Sequence, residues 1–397
     1  MTYSCRSCHA PLGEAFLDLG YTPLANVYPR TIGPLQFYPL QVRVCEACWL
    51  VQLPAYTTAE ETFGDDYPYA TSINPGAVRH AREYAAAMVE RFKFGPENVV
   101  IEIASNDGYL LDEFHKLGIH RVRGVEPARQ LAEVADKERG IITHSRFFTR
   151  EFARQAMPGA AHLLIANNVL AHVPSLNDFV AGMKVALAPA GTATVEVPWL
   201  LKLIEGVQFD TIYHEHFSYF SLNTLFRLFS RHGLTIYDVE ELPTHGGSLR
   251  LYIGHGAQSE IPPCTVMMRS VAEIAEREIN AGLLRKERYV RFAEQARVKM
   301  VMGQYLPVDK AAVFGCPAKL TTRLHATSSV AAFTYAVDDT PAKQGRYVPG
   351  TSIPIHPVAH LLVDPPDVVV NAVWNWREDV EARLKSIGYT GRLIHVE

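Results

Sequence analysis

The sequence predicts an α/β protein in three parts: a small cysteine-bearing module, a central sheet of parallel strands closed by an antiparallel pair, and a second α/β domain. Three observations carry that expectation. Two C-x-x-C pairs bracket the first fifty residues, short apolar runs alternate with helical segments from Asn98, and the alternation restarts at Ala311 after a long charged stretch. A chain of 397 residues is too long for one ordinary core. With 48% hydrophobic and 20% charged residues it reads as globular rather than disordered. The net charge of −4 disfavours nucleic-acid and membrane-surface partners, which select a basic face. No apolar run approaches the roughly 18–20 residues that span a bilayer, and the N-terminus lacks a charged-then-apolar signal segment. A cytoplasmic monomer is the expectation.

The first part is read as residues 1–65. Four of the six cysteines form its pairs, Cys5/Cys8 and Cys45/Cys48, with 36 residues between Cys8 and Cys45. Zinc takes four thiolate or imidazole ligands in a tetrahedron, and a C-x-x-C turn presents two sulfurs in that geometry. Four cysteines leave no open position, so the metal is structural. Redox chemistry is the alternative for one such pair, but two pairs in one short segment point to zinc. His9 is a substitute ligand that the count does not require. Cys264 and Cys316 stand alone and read as buried or incidental thiols.

Residues 66–265 form the second part. A tyrosine-rich loop, Asp65–Ser72, leads into an amphipathic helix from about Pro75 to Phe92, with Val78, Ala81, Tyr84, Ala85 and Met88 on one face. Strands are expected at Val99–Ala104, Val122–Val125, Gly140–Thr143, Leu163–Ala166 and Thr192–Val197, each separated by a helical segment. Leu234–Val239 and Ser248–Ile253 are joined by a loop too short for a crossover helix and should pair antiparallel. Parallel strands ending in such a pair describe the sheet that binds S-adenosylmethionine (SAM) better than the dinucleotide-binding one. A helical connector, 266–305, holds one long charged helix or a helix pair over 268–303. The last part, 306–397, is a Rossmann-like α/β domain. Its strands are expected at Ala311–Phe314, Phe333–Val337, Val368–Val373 and Leu393–Val396, and its helices near Leu320–Ala326 and Arg377–Ile387.

Two clusters carry the chemistry. Glu102, Ala104, Ser105, Asn106 and Asp107 lie where the first central strand turns into its helix, the rim at which α/β sheets bind nucleotide-like ligands. Glu126, ending the second strand, can accept both hydroxyls of a ribose, and Asn167 and Asn168 add polar groups at the same rim. An ordinary turn and a capping acid are the plain alternatives. No glycine run is present to cradle a phosphate, and SAM has none, which favours it over NAD. The second cluster, Thr211-Ile212-Tyr213-His214-Glu215-His216-Phe217-Ser218-Tyr219, crowds two imidazoles, a carboxylate and two phenols into nine residues. It is not the H-E-x-x-H of zinc peptidases. General acid–base chemistry is the functional reading, and aromatic packing at a domain seam is the alternative.

Read along its whole length, the chain resembles the sugar C-methyltransferases that act on nucleotide-linked 4-keto sugars in deoxysugar and nitrosugar antibiotic pathways. The resemblance lies in the paired cysteines, Ser105–Gly108, Asn167–Pro174, Tyr213–Ser218, Pro243–Ser248, Pro317–Lys319 and Lys343–Arg346. It implies SAM-dependent methylation of C-3′ on a nucleotide-linked keto sugar, with dTDP as the expected carrier. It further implies a base at His216, with Tyr213 and Glu215 beside it and His172 and Tyr67 lining the pocket. Lys319, Lys343 and Arg346 are the expected diphosphate contacts. A C–H beside a ketone can lose its proton to a placed base once the enolate oxygen is stabilised. Two departures stand out: Ala104 where many relatives carry glycine, and Leu-Thr-Thr-Arg after Lys319. An NAD-dependent nucleotide-sugar oxidoreductase and a degenerate methyltransferase serving as a binding module are the rival readings.

Overall fold

The computed structural model describes residues 3–58, 60–61, 70–256, 265–303 and 310–395. Tyr67 lies outside the described residues. The first segment holds three antiparallel strands, β1 (Leu17–Thr22), β2 (Tyr38–Val44) and β3 (Val51–Gln52). The helix expected next is α1 (Pro75–Phe92). It starts where the Asn74 side chain accepts the N–H groups of Gly76 and Ala77 and Pro75 opens the first turn. Ala81, Tyr84, Ala85 and Met88 bury its inner face against Leu110, Leu111 and Phe114, while Val78 is only half-buried.

The central sheet then alternates β4 (Val100–Ile103), α2 (Tyr109–Lys116), β5 (Val122–Val125), α3 (Arg129–Arg139), β6 (Thr143–His144), α4 (Arg150–Ala156), β7 (Ala161–Asn167), α5 (Leu176–Ala186) and β8 (Leu187–Pro198). After α6 (Leu200–Glu205) come β9 (Ser218–Tyr219), α7 (Leu222–Arg231), β10 (Leu234–Leu242) and β11 (Ser248–His255). The strand order is β10-β11-β8-β7-β4-β5-β6, parallel except where β11 runs antiparallel to both β8 and β10. Every residue of β4 is buried, as a strand covered by helices on both faces requires.

The connector is a helix pair, α8 (Thr265–Asn280) and α9 (Lys286–Met302). Beyond it β12 (Ala311–Phe314), α10 (Ala318–Ala326), β13 (Phe333–Val337), β14 (Ile355–His356), α11 (His360–Val363), β15 (Val368–Asn371), α12 (Arg377–Ser386) and β16 (Leu393–His395) build an all-parallel sheet, β14-β13-β12-β15-β16. Among the described residues no helix is long and apolar enough to cross a membrane.

Three details depart from the sequence expectation. The strand placed at Gly140–Thr143 is Thr143–His144, because Gly140, at φ 67°, is the left-handed stop of α3. The C-terminal sheet gains β14, too short to show periodicity. The N-terminal sheet is four-stranded, its last strand being β9, which ends the reactive cluster and pairs with β3.

Candidate active site and zinc centre

Two matching turns build the metal centre. In each, the residue after the second cysteine is left-handed, His9 at φ 63° and Trp49 at φ 67°, and donates its N–H to the carbonyl of the first. The four sulfurs of Cys5, Cys8, Cys45 and Cys48 lie within 4.8 Å of one another. Cys5 and Cys48 are 3.5 Å apart, as are Cys8 and Cys45. Metal–sulfur bonds of about 2.3 Å in a tetrahedron demand edges of roughly 3.8 Å, so the set fits zinc. Gln52 Nε2 donates to Cys5 Sγ at 3.2 Å, the outer-shell bond that orients a thiolate. His9 stands apart, its Nε2 3.4 Å from Asn177 Nδ2.

At the carboxyl rim of β4 and β5 the turn 104–108 alternates left-handed residues: Ala104 at φ 57°, Asn106 at φ 52° and Gly108 at φ 78°. Alanine in that conformation costs roughly 1–2 kcal/mol, strain of the kind stored at functional turns. Gly124 makes the close approach possible, since a Cβ there would lie 2.5 Å from Ser105 Oγ. Glu126 accepts the N–H groups of Asn106 and Ala128, each at 2.9 Å, which aims its carboxylate and leaves one lone pair per oxygen. Among the described residues, Glu102 Oε2, Ser105 Oγ, Asp107 Oδ1, Asn167 Oδ1 and Asn168 Oδ1 are buried without a hydrogen-bond partner. Burial, then Glu126, Asp107 and Glu196 nearby, push the Glu102 carboxyl well above its usual range. A crowded, unpartnered set of acceptors suits a ligand that brings an ammonium, a sulfonium and ribose hydroxyls. SAM fits.

The reactive cluster sits on a tight turn between Phe209 and β9. Tyr213 Oη and His216 Nε2 are 2.7 Å apart, and the His172 and His216 rings are separated by 4.6 Å. His172 Nδ1 lies 2.7 Å from the Glu215 carbonyl, which can only accept, so Nδ1 carries the hydrogen and Nε2 the lone pair. Burial drives His172 down to about 4 and His216 well below the ordinary imidazole range; His172 and then His245 add to the shift of His216. The Glu215 carboxylate turns the other way, accepting from the backbone and side chain of Asn26 at 2.9 and 3.3 Å. His214 is also elsewhere, edge-on to Tyr38 and Tyr56. Of the sequence-derived cluster, then, Tyr213, His216 and His172 come together, and Glu215 joins them through its backbone alone.

Comparisons with known proteins agree along the chain. Residues 5–63 match a family model described as "Putative zinc binding domain", residues 77–239 one described as "Methyltransferase domain", and residues 243–396 one described as "C-methyltransferase C-terminal domain". C-methyltransferase NovU of Streptomyces niveus is 34% identical over 389 residues, covering 95% of this chain and 90% of NovU. The chain belongs to the zinc-containing, SAM-dependent C-methyltransferases. Its cofactors are SAM and zinc, and it is an enzyme. Solved structures with partial similarity include 1,6-didemethyltoxoflavin-N1-methyltransferase of Burkholderia thailandensis, at 16% identity and a TM-score of 0.38, covering 58% of this chain and 100% of that one. Magnesium protoporphyrin IX methyltransferase of Synechocystis gives 13% identity and a TM-score of 0.35, covering 46% and 80%.

In this C-methyltransferase the C-terminal cations are placed unequally. Lys319, at the start of α10, is buried over the Trp374 ring at 4.0 Å and donates to Asn375 Oδ1. Burial lowers it to about 8 despite the nearby Asp210. Lys343 donates to the Cys316 carbonyl at 2.9 Å and lies 3.5 Å from Asp338, and Arg346 donates to the Tyr28 carbonyl at 3.1 Å. The methyltransferase also holds groups that motif reading missed. Glu196 on β8 joins Arg250 at 2.7 Å and His80 at 2.9 Å. His245, left-handed at φ 54°, is exposed and lies near Lys319, Glu196 and His80. Gly246 beside it packs where a Cβ would meet Trp374 at 2.6 Å. A carboxylate inside the apolar run Thr192–Val197 was the available signal for Glu196. His245 carried none beyond its place in a resembling segment.

Proposed function

We propose that this methyltransferase transfers a methyl group to C-3′ of a nucleotide-linked 4-keto deoxysugar, dTDP-linked in our reading, in the making of an antibiotic-type sugar. The observation that supports it most is the Tyr213–His216 pair beside His172, together with the buried acceptors without partners at the carboxyl ends of β4 and β7. In this reading Cys5, Cys8, Cys45 and Cys48 hold the zinc, and Glu102, Ala104, Ser105, Asn106, Asp107, Glu126, Asn167 and Asn168 hold the cofactor. SAM, when bound, supplies an electrophilic methyl group. His216, kept neutral by burial, accepts the proton from the carbon beside the ketone. As His216 Nε2 takes up that proton, Tyr213 turns its one hydroxyl hydrogen from Nε2 to the developing oxyanion. His172 and Tyr67 line the sugar pocket, and Lys319, Lys343 and Arg346 contact the diphosphate. The parts are a zinc module (1–65), a SAM-binding domain (66–265), a helical connector (266–305) and a substrate-binding domain (306–397).

Mass spectrometry of products from a panel of nucleotide-linked keto sugars tests the substrate class. His216→Asn tests the base. It should lower methyl transfer by about 10²–10⁴ while SAM still binds, and it should stop solvent-deuterium exchange beside the ketone. Exchange that survives in His216→Asn and disappears in His172→Asn would move the base to His172.

A further inference from the structure

The zinc turn Cys5-Arg6-Ser7-Cys8 touches both loops that carry the reactive imidazoles. Arg6 Nη2 donates to the Leu53 carbonyl at 2.5 Å and Nη1 to the Pro174 carbonyl at 3.3 Å. Its Cζ lies 5.2 Å from the centroid of the Phe217 ring. Pro174 stands two residues after His172, and Phe217 directly follows His216. Leu53 is itself laddered to that segment, its N–H donating to the Phe217 carbonyl at 3.1 Å. The backbone of Arg6 is fixed as firmly: its N–H donates to Gln52 Oε1 at 3.0 Å, and its carbonyl accepts from Asn177 Nδ2 at 3.1 Å.

We propose that Arg6 is a positioning residue for methyl transfer: anchored between two zinc cysteines, its guanidinium holds the His172 and His216 loops in register and so sets the distance between the two imidazoles. The proposal rests on reading those two rings as the reactive pair. A planar guanidinium suits the task because its fork can serve two carbonyls while its face lies on an aromatic ring. Lysine can serve one of those carbonyls well, and methionine neither. The rings are 4.6 Å apart, and a displacement of about 1 Å at a catalytic group is worth about 10²-fold in rate.

The test compares Arg6→Lys and Arg6→Met with wild type in the full-length, zinc-loaded chain. Imidazole nitrogen resonances should move for His172 and His216 in both variants and stay in place for His356 in the C-terminal sheet. Methyl transfer should fall by about 10²-fold in Arg6→Met and less in Arg6→Lys, with zinc content and SAM affinity unchanged. Unmoved His172 and His216 resonances in a zinc-loaded variant overturn the proposal. So does loss of zinc from both variants, which would make Arg6 a part of the metal module's own folding. The resonances report the clamp whichever ring is the base, so displaced rings together with an active His216→Asn would uphold Arg6 and remove the base assignment alone.

Discussion

Glu215 shows how burial divides the labour of neighbouring residues. Its carboxyl is buried and pushed up to about 7, chiefly by desolvation, with the Asn26 bonds pulling the other way. Unfolded, the group titrates near the ordinary carboxyl value of about 4.3. Between those values the native chain keeps a proton that the unfolded chain has released, so the contribution of Glu215 to stability falls as pH rises from about 4.3 to 7. Glu215→Gln keeps an acceptor for Asn26 and removes the titration. The variant should therefore gain stability relative to wild type as pH rises through that window, by a few kcal/mol at order of magnitude. Thermal melts at about pH 5 and 8 read the difference; a pH-independent gap would mean that the carboxyl titrates normally. His216, by contrast, stays neutral, because burial holds it below the range in which imidazoles usually take up a proton.

Elements differ in how plainly the sequence announces them. The helix Pro75–Phe92 is legible to the residue, because Asn74 and Pro75 mark its start and a row of apolar residues marks its inner face. The two-residue strands β3, β6, β9 and β14 are not, since two residues carry no period. The same logic divides the candidate site. Both cysteine pairs and the Tyr213–His216 pair are local in sequence, whereas His80, Glu196, His245 and Arg250 come from four elements and meet only in the fold. The connector hides a further tie. Glu278 on α8 is fully buried and accepts from Trp199 Nε1 and the Leu222 N–H on one oxygen, each at 2.6 Å, and from the N–H and Nδ2 of Asn223 on the other. A carboxylate at the first turn of α7 satisfies N–H groups that the helix cannot pair itself. Glu278→Ala leaves these buried donors without an acceptor and should cost about 3–5 kcal/mol in denaturant unfolding. A loss below about 1 kcal/mol would show the connector to be an independent arm.

At the scale of the whole molecule, the zinc module is built into the part that carries Tyr213 and His216 rather than hung beside it. Strand β9 completes the module's sheet by pairing Ser218 and Tyr219 with Gln52 and Val51. Arg231 donates to the Ser7 carbonyl at 2.6 Å, Arg227 to the Ala47 carbonyl at 3.1 Å, and Lys286 pairs with Glu46 at 2.8 Å. His214 is enclosed by Tyr38 and Tyr56, and Glu215 by Asn26. The carboxyl rim of the central strands is different: β4, β5 and β7 pair with the rest of the central sheet, not with the module. Zinc ligation is coupled to folding of the segment it closes, so losing the metal should loosen residues 1–55 and the 213–219 turn while sparing the rim. Wild type should carry about one zinc per chain. Cys45→Ser should lose it, expose residues 1–55 to limited proteolysis and lose methyl transfer, yet still bind SAM in a calorimetric titration. A zinc-free Cys45→Ser protein that resists protease and turns over at the wild-type rate would show that the sheet β1-β2-β3-β9 holds the 213–219 turn without its metal.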